Sequence, residues 1–319
     1  SSIEMKRTLL SIAGSALLVA SLPLAAAAQD EQKTFYWVSH GAPTDPVWTY
    51  FLDGAMTWAE DTGHTVNTSF HSGDVPLHQE AIAAAIAAGA DGIVTSSPQP
   101  GSLGELVQEA KAAGIPIINI NTPDPEADFD AYLGTNNVEV GRRWAQYLVD
   151  NGYVESGDFV WMPVEQLGQT YQVQETEGIA SVFDPLGIEY DIQETTLDQA
   201  EIITRMSDYL LANRDRIDAM IGLGDLVTGS VARVWDQNGV PAGEIPVVGW
   251  GNSPETTQEI LDGYVLAGMW QDPQMTSYLG LSLANAGSSG IPPGFDITVG
   301  ALYEADTAQV YQDILTGAE

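Results

Sequence analysis

The chain has 319 residues, in which 44 Asp and Glu stand against 10 Lys and Arg and give a formal net charge of −34. Such an excess of negative charge repels nucleic acid and anionic lipid, so the composition excludes a nucleic-acid-binding protein. The chain contains no cysteine, which excludes disulfides, thiol nucleophiles and thiolate metal sites.

The first 28 residues have the pattern of an export signal. Lys6 and Arg7 are followed by an apolar run from Leu9 to Leu24 and then by a row of alanines. The run is shorter than the ~20 apolar residues of a membrane span, and the alanines are typical of a cleavage site. We therefore predict a signal peptide, preceded at Ser1 to Glu4 by residues left from an expression vector. Export without disulfides favours the bacterial periplasm.

The first strand is predicted at Thr34–Ser39, and a polar loop connects it to a helix. Asp45 immediately before Pro46 is a helix-start signal, because the carboxylate accepts from free N–H groups and a first-turn proline needs no acceptor. A strand, a polar loop and a helix form the repeating unit of a parallel α/β sheet, and ligands bind beyond the carboxyl ends of such strands. Polar residues that follow strands are therefore the candidates for a site.

Strand and helix patterns alternate along the rest of the chain in two series. After the first strand, the first series has strands at 65–70, 92–96 and 115–120 and helices at 48–61, 81–88 and 103–113. A loop rich in Pro and Asp at 121–130 precedes the second series, with strands at 159–162, 190–193, 219–222, 246–249, 265–270 and 299–303 and helices at 138–149, 171–183, 201–213, 226–237, 254–261 and 274–286. A chain this long exceeds one ordinary core. We therefore expect an α/β protein with two similar doubly wound parallel-sheet lobes and a ligand cleft between their carboxyl edges.

Several short segments, taken together in their order and spacing, are characteristic of one protein family. They are Asp45-Pro-Val-Trp48, Asp53-Gly54, Ala88-Gly-Ala-Asp-Gly-Ile93, Ala113-Gly-Ile-Pro-Ile117, Gly178, Gly224-Asp225, Val247 to Pro254 and Gln271-Asp-Pro273. Through them the chain, from Phe35 to Leu315, resembles a periplasmic sugar-binding protein of the ribose/galactose-binding type, the receptor component of an ABC importer. The resemblance implies the type I periplasmic binding protein fold with three hinge crossovers, near Thr135, Gln271 and Pro292. It implies an N-terminal lobe of 33–134 with 272–291 and a C-terminal lobe of 135–271 with 292–319.

The resemblance also implies roles for individual residues. Asp45 matches a polar residue that hydrogen-bonds a sugar hydroxyl, and Trp48 matches the aromatic residue that stacks on the sugar ring. Asn121 stands where the family has a carboxylate, and Gln271 matches the amide at the second crossover. The chain departs from the family where Glu175 replaces an Arg, Gly224 an Asn and Gly251 an Asp, with Asn252 beside the last as a substitute.

Position relative to the predicted strands adds further candidates. The full set of expected ligand-binding residues is His40, Asp45, Trp48, Asn121, Asn136, Tyr171, Gln172, Glu175, Asp225, Trp250, Asn252 and Gln271. Structural roles are the alternative for most of them: helix capping for Asp45, Asn136 and Asp225, core packing for the two tryptophans, and turn formation for Asn121. Helical periodicity allows only one or two of residues 171, 172, 174 and 175 to face a cleft.

The predicted site has no Arg or Lys, whereas an anionic ligand favours a bidentate Arg. We therefore expect a neutral monosaccharide or polyol as ligand, the permease of an ABC transporter in the inner membrane as partner, and a monomer without cofactor or metal. A calcium loop at residues 124–130 is an alternative, but it lacks the glycine and the distal Glu of an EF-hand.

Other function classes fit the sequence less well. A secreted enzyme would need a nucleophile elbow, a zinc-binding helix or a phosphate loop, and none of these motifs occurs. A transcription regulator would need a DNA-binding module with basic charge. A signalling or chemotaxis receptor for a small sugar-like ligand remains an alternative, since it would use the same fold.

Overall fold

The computed structural model describes residues 31–317 and contains two six-stranded sheets, each covered by helices. The predicted signal peptide lies outside these residues. No helix within the described range has the length and apolar character needed to cross a membrane. The two predicted doubly wound α/β lobes are therefore confirmed, and each has one sheet at its centre.

The first lobe has strand order β2-β1-β3-β4-β5-β11, and all its pairings are parallel. Its helices α1, α2, α3 and α10 lie against this sheet or against one another. Its elements are β1 Thr34–Ser39, α1 Pro46–Thr62, β2 Thr65–Phe70, α2 Val75–Ala87, β3 Gly92–Ser96, α3 Gly104–Ala112, β4 Ile117–Ile120, β5 Ala131–Gly134, α10 Pro273–Ser288 and β11 Ile297–Thr298.

The second lobe repeats this order as β7-β6-β8-β9-β10-β12, except that β12 is antiparallel to β10. Its sheet is therefore mixed at one edge rather than wholly parallel as expected. Its elements are α4 Asn137–Asp150, β6 Phe159–Val164, α5 Thr170–Leu186, β7 Glu189–Glu194, α6 Gln199–Asn213, β8 Ala219–Gly222, α7 Asp225–Thr228, α8 Val231–Asn238, β9 Val247–Trp250, α9 Pro254–Leu261, β10 Ala267–Trp270, β12 Ala301–Tyr303 and α11 Ala305–Thr316.

Four elements differ most from the sequence prediction, and one of them, strand β5 at Ala131–Gly134, was not predicted at all. Helix α2 begins at Val75 rather than Ala81, because Asp74 caps it by accepting from the Leu77 N–H at 3.0 Å. The single helix expected at 226–237 is divided into α7 and α8. The strand expected at 299–303 is shortened to β12 at 301–303, and the two-residue strand β11 at 297–298, which belongs to the other sheet, was not predicted.

The chain passes between the two sheets three times, after β5, after β10 and after β11. The third passage was expected near Pro292, but Ile297 and Thr298 still pair with β5 of the first sheet, which moves it to Val299–Gly300. The three connections are neighbours: a Cβ on Gly300 would lie 3.2 Å from the Trp270 carbonyl oxygen and 3.4 Å from Thr135 Cγ2. The three connections between the lobes therefore lie side by side.

Candidate ligand-binding site

The loop after β1 and the loop after β8 lie opposite each other, one in each lobe. The charge of Asp45 in the first lobe contributes to raising the pKa of Asp225 in the second. Nearby, the Tyr50 hydroxyl on α1 donates to the Leu315 carbonyl oxygen on α11 at 2.6 Å. The carboxyl edges of the two sheets therefore approach each other, as the prediction of a cleft requires.

On the first lobe, His40 and Trp48 lie side by side at the end of β1. Their rings meet edge to face with centroids 5.0 Å apart, and His40 Nδ1 lies 2.6 Å from the Ser96 hydroxyl. Burial lowers the pKa of His40 to about 4, so the imidazole is neutral at pH 7. Only 4% of Trp48 is exposed, because its indole packs on Trp37 and Phe51 in the lobe core. Core packing thus accounts for most of the Trp48 surface that was expected to stack on a ligand.

Asp45 and Asn136 both act as helix caps. Asp45 Oδ1 accepts from the Val47 N–H at 3.2 Å at the start of α1. Asn136 Oδ1 accepts from the Glu139 N–H at 3.1 Å at the start of α4, and its side chain is exposed. For Asn136 this favours the capping alternative over ligand contact. For Asp45, Oδ2 has no hydrogen-bond partner within the described chain, so capping leaves an oxygen for a ligand.

Asn121 follows β4 in the left-handed backbone conformation, with φ of 70°. Its side-chain oxygen accepts from the Thr122 hydroxyl at 2.9 Å. The Tyr132 hydroxyl lies 3.2 Å from the Asn121 carbonyl oxygen and 2.9 Å from the carbonyl oxygen of Thr135 in the first connection between the lobes. Asn121 is therefore tied to the hinge as well as placed at the carboxyl edge.

The first turns of α5 contribute two buried side chains with different partners. Gln172 Oε1 accepts from the Gly168 N–H at 2.8 Å and Nε2 donates to the Thr176 hydroxyl, so the amide is consumed within its own segment. These bonds favour a structural role for Gln172, and its contact with a ligand stays a prediction. Glu175 is fully buried, and its Oε1 accepts from Trp250 Nε1 at 2.8 Å. The two predicted residues Glu175 and Trp250 are thus a bonded pair, and burial raises the pKa of Glu175 well above its usual value.

Asp225, Asn252 and Gln271 form a chain of hydrogen bonds that leads from β8 to the second crossover. Asp225 accepts from the Asn252 N–H at 3.1 Å and from Asn252 Nδ2 at 3.2 Å. Asn252 Oδ1 accepts from the Gln271 N–H at 2.9 Å. The side-chain amide of Gln271 has no partner in residues 31–317. Burial, aided by the charges of Glu165 and Asp45, raises the pKa of Asp225 to about 7 against the opposing effect of the Asn252 hydrogen bonds.

Glu165, at the carboxyl end of β6, is a site residue that the sequence analysis missed. Its Oε1 accepts from the N–H groups of Leu226 and Val227 at 2.8 and 3.1 Å. The Glu165 carboxyl also lies beside the Tyr171 hydroxyl. Burial raises the pKa of Tyr171, and the negative charge of Glu165 raises it further. The feature of the chain that points to Glu165 is Gly224, because a Cβ added at that position would overlap Glu165 Oε2.

No arrangement of three or more His, Asp or Glu side chains suited to a metal ion occurs between residues 31 and 317. The acidic run at 124–130 has other partners: Asp124 accepts from the Ser97 hydroxyl at 2.7 Å, and Asp130 accepts from the Ile117 N–H at 2.8 Å. The eight Lys and Arg residues of the described chain form no hydrogen bond with any candidate residue or with Glu165. The site therefore combines carboxyls and amides without a cation.

Comparison with known proteins gives consistent matches over most of the chain. A family model for a periplasmic binding protein domain matches residues 35–290. The D-xylose-binding periplasmic protein of Escherichia coli is 24% identical over 208 residues, which cover 63% of this chain but only 62% of that protein. A solute-binding protein from Burkholderia graminis in complex with D-arabinose superimposes with a TM-score of 0.76 at 22% identity, over 86% of this chain and 96% of that one. A carbohydrate transporter protein from Acidothermus cellulolyticus in complex with myo-inositol gives a TM-score of 0.75 at 18% identity, over 89% and 98% of the two chains.

Proposed function

This chain belongs to the periplasmic binding protein family, and from that premise we propose that it captures a neutral monosaccharide or polyol between its two lobes and delivers it to an ABC importer. In this proposal the protein is exported to the periplasm, binds its ligand without catalysing a reaction, and docks on a permease in the inner membrane. The sugar and polyol complexes of the structurally similar proteins support this ligand class.

The observation that carries the proposal is the polar lining of the two carboxyl edges, which has acceptors but no cation. Asp45 lies near enough to Asp225 of the other lobe for its charge to act on it, and the Gln271 backbone N–H is linked to Asp225 through Asn252. A hydroxyl group can donate to such oxygens, and each buried hydroxyl without a partner costs about 1–3 kcal/mol. A ligand carboxylate or phosphate would find repulsion in place of the Arg that usually binds it.

The proposed mechanism is closure of the lobes about the three adjacent connections. Ligand binds first to one lobe, and the second lobe adds its contacts on closing, as in other hinge-bending binding proteins. Because a ligand shifts an equilibrium only by its difference in affinity for the two states, contacts from both lobes are required. Asp272 in the second connection has φ of 55°, a left-handed conformation that places a conformational constraint at the hinge.

Thermal-shift screening followed by calorimetry tests the proposal. The panel comprises D-xylose, D-arabinose, D-galactose, D-allose and myo-inositol, with D-glucuronate, D-galacturonate and glucose 6-phosphate as anionic counterparts. We expect at least one neutral compound to raise the melting temperature and to bind with one-to-one stoichiometry. Stabilisation by the anionic compounds alone would refute the proposed ligand class.

A further inference from the structure

Glu165 has a carboxyl oxygen that the protein does not use. The residue is only 5% exposed. Oε1 accepts from two backbone N–H groups of α7. The Tyr171 hydroxyl lies close to the carboxyl, but Oε2 is buried and has no hydrogen-bond partner within bonding geometry in the described residues. A buried polar atom without a partner costs about 1–3 kcal/mol, so its retention calls for an explanation.

The position of this oxygen is set by Gly224, the last residue before Asp225. Any side chain at 224 would overlap Oε2, so the Glu165 carboxyl fills the space beyond the carboxyl end of β8 that a residue-224 side chain would otherwise take. Asp225 is its neighbour, as the mutual effect of their charges indicates, and Asp45 of the other lobe acts on the same Asp225. Glu165 therefore lies at the carboxyl edge of its sheet, directly after β6 and beside Asp225.

The electrostatic surroundings point to a partner outside the protein. Glu165, Glu175 and Asp225 influence one another with like charge. No Lys or Arg has an effect on any of the three within the described chain. Glu175 already accepts from Trp250, and both oxygens of Asp225 accept from Asn252. Glu165 Oε2 and Glu175 Oε2 are thus the two carboxyl oxygens of this group without a partner in the described residues, and of these two residues only Glu165 retains exposed surface, 5% against 0%.

We propose that Glu165 contacts the ligand and determines specificity: its free carboxyl oxygen bonds a hydroxyl of the sugar or polyol next to Asp225, and the group of carboxyls rejects sugar acids and sugar phosphates. This assignment rests on the proposed function. It follows from the geometry, because a ligand hydroxyl satisfies the orphaned oxygen. A ligand anion, in contrast, would be buried without a cation beside three carboxyls whose own ionisation burial already opposes.

The test compares Glu165→Gln with Glu259→Gln. The two glutamates are matched, since Glu259 is also buried, caps a helix by accepting from the Ala232 N–H at 2.9 Å, and has an unpartnered Oε2. Both glutamine variants retain an oxygen for the capping bonds. Calorimetry is done on the full chain with D-xylose, D-galactose and myo-inositol and with D-galacturonate and D-glucuronate.

We expect Glu165→Gln to weaken binding of the preferred neutral compound by roughly tenfold to a hundredfold and to narrow the ratio between neutral and acidic compounds. Glu259→Gln is expected to leave both quantities unchanged. A neutral-compound affinity in Glu165→Gln equal to wild type, or an equal loss for neutral and acidic compounds, would overturn the role of Glu165 while the proposed function stands. A wild-type protein that binds only the acids, or no member of the panel, overturns the proposed function and the Glu165 assignment with it.

Discussion

The hydrogen bond between Tyr50 and Leu315 is expected to stabilise the closed form of the protein. Tyr50 lies on α1 of the first lobe, yet its ring packs against a core cluster of the second lobe. Its hydroxyl donates at 2.6 Å to a carbonyl in the last turn of α11, where backbone carbonyls lack partners within the helix. Opening the lobes would break this bond and expose the ring.

Tyr50→Phe removes the hydroxyl and keeps the ring. A hydrogen bond of this kind contributes a net 0.5–1.5 kcal/mol, so the closed form should lose roughly a factor of two to ten in population relative to the open form. Where the open form dominates without ligand, the apparent dissociation constant rises by the same factor. Because the bond forms only on closing, most of the change should appear in the dissociation rate.

Single-molecule energy transfer between one dye on each lobe measures the closed fraction directly. The absence of native cysteine allows both dyes to be attached at introduced thiols. Tyr278→Phe is the matched control, since that hydroxyl donates to Asp61 within the first lobe at 2.8 Å. An unchanged closed fraction and an unchanged affinity for the neutral compound in Tyr50→Phe would refute the closing role of this contact.

Two further predictions concern stability. Gly178→Ala should lower the melting temperature by about 5 °C or more, because its Cβ would overlap the Val138 carbonyl oxygen and force α4 and α5 apart. Gly294→Ala is the control, since a Cβ at that position has open space and should leave the melting temperature unchanged. Equal melting temperatures for the two variants would contradict the packing argument. Burial raises the pKa of Glu259 to about 8. The stability that this side chain contributes to the folded protein is therefore fully present below pH 4.5 and is lost as the pH rises through 8. Glu259→Gln should therefore stabilise the protein relative to wild type at pH 9 by on the order of several kcal/mol and have little effect at pH 5, measured by urea unfolding; the same difference at both pH values would exclude ionisation as the cause.

Local patterns predicted most of the elements because each has its own signal in the sequence. The strand Thr65–Phe70 and the helix Pro254–Leu261 were predicted with the bounds that the structure has. Patterns failed where a partner strand decides the structure. Residues 299–303 were predicted as one strand, but only 301–303 pair with β10, and residues 297–298 just before them pair with β5 of the other sheet. A two-residue strand has no periodicity to detect.

The location and chemistry of the candidate site stay predictions, but the structure brings several of its predicted residues together. Asp225, Asn252 and Gln271 form one hydrogen-bonded chain, and Glu175 bonds Trp250, although nothing in the sequence links these positions. Gln172 is hydrogen-bonded within its own segment. Glu165 was missed because its role depends on the missing side chain at Gly224, which is close in space and distant in sequence.

By itself, the sequence determined the alternation of strands and helices and the number of lobes, since these depend on periodicity and chain length. The tertiary structure decided which polar groups remain free for a ligand. Whether a carboxyl is hydrogen-bonded within the protein, or an indole is buried in its core, depends on neighbours brought together from separate strands. The buried Trp48 and the unpartnered oxygen of Glu165 illustrate this. Hydrogen-bond satisfaction is a property of the packed molecule, and no local pattern encodes it.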